Sequence, residues 1–285
     1  MELTFDHQLL SKSNFALVDL AMADYLPTGV EMVSVVPPTM ASSAHLMPHL
    51  VDLNAMHEDV RAALLTSLFE AQQDREQPAI TMLIQTSMNG NDLVRYWNTL
   101  QLATPTPAQK VWLRLHDPRV LHQLLRILTA AQRKRLFGQI ESFTYWLGDD
   151  WVHAAAHAAT AYGADAAARP RWDWPRIEQI GVVNRALQGA GIVQASSITR
   201  QSELAEQLIA RARQQYDLSE QADLVEFAAR GLMTSPTFDD HPELRRAIRH
   251  GSYPEDDATL ADRLALIDDE VWASVCPPNG KEKNP

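Results

Sequence analysis

The sequence predicts a mixed α/β (α+β) N-terminal domain, in which helices flank a central sheet, followed by an all-helical C-terminal domain. In the first half of the chain, short apolar segments typical of strands alternate with helical patterns. An alanine-rich segment at residues 154–170 interrupts this order. Beyond it, the apolar residues show only helical spacing. Strands alternating with helices indicate a layered domain, and the second pattern indicates a helical one.

The strand predictions rest on apolar segments bounded by turn-forming residues. The predicted strands are residues 15–21, 30–36, 79–86, 110–116 and 141–147. The fourth alternates, with Leu113 and Leu115 on one face and Arg114 and His116 on the other. Such alternation is typical of a strand with one buried face.

Helical patterns lie between these strands. The predicted helices are residues 57–72, 92–102, 120–128 and 130–137. Asn54 is the candidate cap of the first helix, and Thr129 is the candidate cap of the fourth, which ends at Gly138.

In the second half, helices are predicted around residues 177–187, 204–212, 224–232, 241–250 and 260–271. The expected organisation is an α/β domain over residues 1–152, a linker over 153–175, a helical domain over 176–275 and a flexible tail over 276–285. Trp172 and Trp174 stand in the linker, where we expect them to pack one domain against the next.

Composition narrows the class of protein. The 285 residues include 36 acidic residues and 25 lysines and arginines, a net charge of −11, which argues against a nucleic-acid partner. Cys276 is the only cysteine, so no intrachain disulfide forms, which indicates a reducing compartment or no dependence on oxidation. No apolar stretch approaches about 18 residues and no signal peptide is evident. We therefore expect a soluble cytoplasmic protein without membrane insertion.

One pair of histidines has the spacing of metal ligands. His153 and His157 are four residues apart, so a helix would place both on one face, and Asp149, Asp150 and Asp173 lie nearby. The glutamate that metalloproteases place beside the first histidine is absent, and the spacing specifies no third ligand. A metal-dependent hydrolase stays an alternative. The main expectation is that the protein has no catalytic residues, no metal and no cofactor.

The most informative segment is the transition from the fourth predicted strand to a helix. Asp117 is a good N-cap, and Pro118 suits the first helical position because its missing N–H is not needed there. Arg119 stands in the first turn, where the helix dipole disfavours a cation, so we expect an acidic partner elsewhere. Arg114 could join the same network. A structural network of ion pairs and direct contact with a ligand are both open interpretations.

This segment also resembles a known family. The matching residues are Leu113-Arg114-Leu115-His116-Asp117-Pro118-Arg119-Val120-Leu121, then Leu128-Thr129, Gln132 and Leu136-Phe137-Gly138. Together they resemble the signature of bacterial type VI secretion adaptors, or effector chaperones, called Tap or Tec, whose N-terminal domain long carried only the label of a domain of unknown function.

Further matches extend the resemblance to residues 13–150. They are a strand that ends in Asp19, the segment Pro48-His49-Leu50-Val51 and a helix over residues 92–100. Two positions depart from the family. Its Arg-His pair is Arg95-Tyr96 here, and Gln139 replaces the proline that follows Phe-Gly.

The resemblance implies a non-catalytic adaptor that binds a cognate secreted effector in the producing cell and helps to load it onto the VgrG spike protein. The residues expected to form a structural or interaction network are Arg95, Arg114, Asp117, Pro118 and Arg119. An apolar groove, walled by the two domains, would bury an aggregation-prone segment of the effector. The alternative is an immunity-type protein that binds a toxin and neutralises it.

Overall fold

The computed structural model describes residues 12–74, 77–106, 109–156, 172–249 and 258–276. The chain divides into two compact units, Met1–Glu178 and Gln179–Pro285. The first contains an antiparallel sheet flanked by helices, and the described part of the second is helical. The predicted fold class is therefore confirmed.

The main sheet of the first unit has six strands in the order β2-β3-β1-β4-β7-β8, and all neighbours are antiparallel. Its strands are β1 (Phe15–Val18), β2 (Val33–Ser34), β3 (His49–Asp52), β4 (Ile80–Thr86), β7 (Ile140–Leu147) and β8 (Asp150–Ala155). The first strand is central, since Phe15 lies opposite Asp52 of β3 and also opposite Ile84 of β4. A separate hairpin consists of β5 (Leu102–Thr106) and β6 (Gln109–Trp112).

The helices of the first unit are α1 (Glu58–Gln73), α2 (Gly90–Gln101), α3 (Pro118–Ile127), α4 (Ala130–Phe137) and α5 (Trp174–Glu178). The predicted capping box at the start of α4 is present, because Thr129 and Gln132 cap each other's backbone. The cap of α1 is His57, whose Nδ1 accepts the N–H of Asp59, and not Asn54 as predicted.

Both faces of the sheet are covered. On one face, Leu64 and Leu68 of α1 join a cluster that includes Trp146 and Trp151, whose rings meet edge to face at 5.7 Å between centroids. On the other face, the ring of Phe143 packs against Trp97 of α2 and Phe137 of α4. Consecutive residues of β7 thus face opposite layers.

The predicted strand over residues 110–116 is shorter in the structure. The strand β6 ends at Trp112, and the backbone then turns, with the N–H of Leu115 bonded to the carbonyl of Leu113 at 2.8 Å. Both leucines are nevertheless buried. The alternating pattern therefore predicted the burial of Leu113 and Leu115 correctly, but it predicted an extended backbone that is not formed after Trp112.

The helix that a metal-binding pair of His153 and His157 would require is not formed at His153. That residue lies on β8, paired with Thr144 of β7, and its Nδ1 is 2.9 Å from the Thr144 hydroxyl. His157 lies outside the described residues. The strand β8 runs from Asp150 to Ala155, so the expected domain end at residue 152 falls inside it.

The described part of the second unit contains α6 (Ile180–Gly189), α7 (Ala195–Tyr216), α8 (Gln221–Met233), α9 (Pro242–Ile248), α10 (Leu260–Ala265) and α11 (Asp269–Val275). The helix predicted around residues 260–271 is two helices. Asp268, with extended dihedral angles, is the N-cap of α11 and ends the continuity of the pattern. Most of the predicted tail, residues 277–285, lies outside the described residues, whereas Cys276 is described and exposed.

Buried polar groups join the helices of the second unit. The Asp223 carboxylate of α8 accepts the N–H of Leu260 at 3.1 Å. Arg263 is buried and donates to the carbonyls of Ala247 and Ala258 at 2.8 and 2.7 Å. These bonds satisfy polar atoms that would otherwise destabilise the core.

Candidate functional site

The Asp-Pro-Arg segment forms the start of α3. The Asp117 carboxylate accepts the backbone N–H of Arg119 at 3.0 Å, which confirms the predicted cap, and Pro118 occupies the first turn. The guanidinium of Arg119 donates to the same carboxylate through Nε at 3.1 Å and Nη2 at 2.9 Å. The acidic partner of Arg119 is therefore Asp117 itself, not a carboxylate elsewhere in the fold.

This ion pair is unequal in exposure. The Asp117 side chain is 11% exposed, whereas that of Arg119 is 53% exposed. Burial alone would raise the pKa of Asp117, but the hydrogen bonds and charge of Arg119 outweigh it, so the pKa lies below its ordinary value. Asp117 is thus held ionised beside a helix N-terminus.

A cavity of about 240 Å³ opens beside this helix start. Its lining residues are Asp19, Gln77, Thr81, Arg114, His116, Asp117, Pro118, Arg119, Trp146 and Gly148. Asp19 directly follows β1, Thr81 lies on β4 and Trp146 lies on β7. Three strands of the main sheet therefore build the wall opposite the Asp-Pro-Arg segment.

His116, directly before the Asp-Pro-Arg segment, is a buried polar residue. It is 7% exposed, its ring lies 5.8 Å from that of Trp112, and its Nδ1 has no hydrogen-bond partner among the described residues. Burial lowers its pKa to about 4, and the charge of Arg114 acts in the same direction against the opposing carboxylates of Asp117 and Asp19. The imidazole is therefore neutral at neutral pH.

Arg114 lines the same cavity without joining the Asp117–Arg119 pair. Its guanidinium carbon lies 5.7 Å from the centroid of the Trp112 ring, within the range of a cation–π contact. Arg114 is exposed, and its guanidinium makes no hydrogen bond or ion pair to another described residue. Its charge still acts on the cavity, because it helps to lower the pKa of Asp117.

Arg95 lies elsewhere. It pairs with Asp92 one turn earlier on α2, and both line a separate, open cavity of about 530 Å³. Its neighbour Tyr96 donates its hydroxyl to the carbonyls of Arg135 and Leu136 at 2.8 and 3.1 Å. The tyrosine at this departure from the family thus ties α2 to the end of α4.

Trp172 and Trp174 stack on each other, with ring centroids 5.7 Å apart and planes inclined by 14°. The short helix α5, which begins at Trp174, packs against α3 within the first unit. A role of the two rings between the domains stays a prediction.

Sequence reasoning did not find Asp19, Thr81 and Trp146 as residues of the site. Asp19 follows β1, and Thr81 and Trp146 lie on two strands far from it in the chain. The family resemblance includes Asp19 without giving it a role, and no local motif marks the other two. Among residues with described placement, no group of three or more His, Cys, Asp or Glu side chains could hold a metal ion. Over the same residues, no helix has both the length and the apolar character that crossing a bilayer requires.

Comparison with known proteins identifies a family whose model matches part of the chain. Residues 36–135 match the model of the family described as "Domain of unknown function (DUF4123)". No curated protein and no solved structure matches the chain. The matched stretch contains Arg95 and the whole Asp-Pro-Arg segment, whereas Asp19 and Trp146 lie outside it. The match covers 100 of the 285 residues, so similarity to DUF4123, the domain of the type VI secretion adaptors called Tap or Tec, is shown for this stretch of the chain.

Proposed function

We propose that this protein is a non-catalytic adaptor of a type VI secretion system. It binds a cognate effector in the cytoplasm of the producing cell and helps to load that effector onto a VgrG-type spike. The observation that carries the proposal is the DUF4123 match over residues 36–135, since this domain is associated with such adaptors.

Four large apolar side chains of the first unit are exposed. The large apolar side chains of Tyr25, Val33, Leu46 and Phe69 are between 45% and 70% exposed. Single exposed apolar residues are common on protein surfaces, so none of them alone identifies an interface. They are the positions at which a change to serine tests effector binding with the least cost to the core.

Affinity purification from the natural host tests the function. The tagged protein is expected to co-purify with a large toxin-like protein and a spike component, both identified by mass spectrometry. The matched control is the same purification from a strain that lacks the spike gene, where the toxin should remain and the spike should vanish. Serine variants of the four exposed residues, purified in parallel, would locate the binding surface.

Two results would contradict the adaptor. A toxin captured without the spike, together with protection of cells that lack the secretion apparatus, would establish an immunity protein. A preparation with no partner and with tightly bound divalent metal would support the hydrolase alternative.

A further inference from the structure

We propose that the cavity beside the start of α3 binds a carboxylate group of a partner peptide, with Arg114 as the counter-ion. That the peptide belongs to a secreted effector rests on the proposed function. The chemistry of the cavity does not, because it follows from the residues that line it.

The first argument is the balance of charge in the cavity. The Asp117 carboxylate already accepts the backbone and the guanidinium of Arg119. The Asp19 carboxylate accepts the N–H of Ala21 at 3.0 Å. Arg114 is exposed, and among the four charged lining residues only its side chain has no hydrogen-bonded partner in the described part of the chain. A carboxylate ligand in the cavity would pair with this guanidinium through two N–H···O bonds.

The second argument is the buried histidine. His116 lines the cavity and is only 7% exposed. Its Nδ1 lacks a hydrogen-bond partner within the described residues. Buried polar atoms without partners are rare in folded proteins and call for an explanation such as a ligand or a bound water. Its ring also packs beside Trp112, over which Arg114 lies, so the histidine and the unpaired cation share one wall.

Size and charge select a carboxylate over a phosphate. The volume of about 240 Å³ is below the range of about 300–1,000 Å³ for drug-sized ligands, so it suits a single side chain or chain terminus. The carboxylates of Asp19 and Asp117 both line the cavity and are negatively charged. They repel a phosphate group of nearly two charges more strongly than a carboxylate of one charge.

Short blocked peptides test the proposal on the full-length protein. The probes are acetyl-Gly-Glu-Gly-amide, which has an internal carboxylate, and acetyl-Gly-Gly-Gly with a free C-terminus. Acetyl-Gly-Gln-Gly-amide is the neutral control, and inorganic phosphate is the competing anion. Binding is followed by NMR on protein with ¹³C-labelled histidine, with the His116 signal assigned by its loss in His116→Asn.

At least one carboxylate peptide is expected to shift the His116 signal saturably, and the stronger of the two identifies a side chain or a C-terminus as the ligand. The neutral peptide should give no shift. Arg114→Gln should weaken binding on the order of tenfold, and Arg114→Lys less, because it keeps the charge but not the fork of donors. The matched control is Arg135→Gln, which removes an exposed cation from α4 outside the cavity.

The pH titration of His116 provides a second test, because its pKa would not respond to the peptide if Arg114 had only a structural role. The ring faces Arg114, Asp117 and Asp19, and a bound carboxylate adds a negative charge that raises its pKa from about 4.

Three results would each overturn the proposal. They are equal binding by wild type and Arg114→Gln, no saturable shift with either carboxylate peptide, and tighter binding of phosphate. If an effector co-purifies in the pull-down but these peptides fail, only this inference falls. If the peptides bind but no effector is captured, only the adaptor function falls.

Discussion

Asp117 binds Arg119 twice, through the backbone N–H and through the guanidinium, although only one residue separates them. One carboxylate therefore caps α3 and neutralises the cation in its first turn. This arrangement removes the unfavourable interaction between Arg119 and the helix dipole. The proline between them occupies a position where its lack of an N–H costs nothing.

Asp117→Ala is expected to lower the free energy of unfolding by about 1–2 kcal/mol, because the cap and the ion pair are lost together. Asp117→Asn should cost less, since an asparagine side chain still caps but does not pair with Arg119 as an ion. Urea unfolding of the two variants beside wild type measures the difference. An unchanged midpoint for Asp117→Ala would show that the cap contributes nothing.

Two buried histidines should make stability depend on pH. Burial lowers the pKa of His116 and of His122 to about 4, below the ordinary value of about 6.5 that applies in the unfolded chain. The unfolded chain then binds protons that the native state does not. The contribution of these two histidines to the free energy of unfolding is therefore complete above pH 6.5 and is lost as the pH drops from about 6.5 to about 4.

His122→Gln should flatten this dependence, because it removes one titrating group. The Nδ1 of His122 lies 3.1 Å from the hydroxyl of Tyr145, so the variant also has a cost that does not vary with pH. Melting temperatures between pH 4 and pH 7 separate the slope from this constant loss. His45→Gln, at an exposed position, is the control. A slope in His122→Gln equal to that of wild type would contradict the assignment.

Gly138 is required by both conformation and space. Its φ of 55° lies in the region that favours glycine, and a Cβ added there would be 2.6 Å from Cζ of Tyr96. Gly138→Ala is expected to destabilise the protein by more than about 1 kcal/mol. In combination with Tyr96→Ala the loss should be less than the sum of the two single losses, because the steric conflict disappears. Thermal unfolding of the four proteins measures this, and strict additivity would refute the conflict.

Gly231 marks a close approach of α7 and α8 in the second unit. A Cβ at this position would lie 2.6 Å from Cδ2 of the buried Leu208. Gly231→Ala should therefore cost about 1–3 kcal/mol through overpacking. Gly181→Ala is the matched control, since its Cβ would meet only Arg185 Nη1 at 3.7 Å, and it should be neutral or stabilising by up to about 1 kcal/mol. Similar unfolding midpoints for both variants would contradict this difference.

Local chemistry explains what the sequence predicted well. The start of α3 at Pro118 and the capping box of Thr129 depend on residues within one helical turn, so short motifs were sufficient. The strands β3 and β8 were not predicted. The first has only four residues with polar ends, and the second contains alanines that suggested a domain break. Both depend on pairing with distant or preceding strands, which periodicity does not report.

The candidate site was predicted only in part for the same reason. Arg114, Asp117 and Arg119 are near neighbours in sequence and line one cavity, whereas Arg95 lies in another. The opposite wall comes from β1, β4 and β7, which tertiary folding brings together. The alternation at Leu113 and Leu115 gave their burial, but the turn that directs Arg114 over Trp112 depends on the hairpin of β5 and β6.

The central place of β1 has a kinetic consequence. The first strand among the described residues, β1, pairs with β3 and β4, and β4 in turn pairs with β7 some 60 residues later. The sheet therefore assembles from contacts that are remote along the chain. In the second unit, α6, α7 and α8 follow one another over short connections and pack against one another. Because folding rates fall as the sequence separation of contacts rises, the part of the chain that leaves the ribosome first is the slower part to fold.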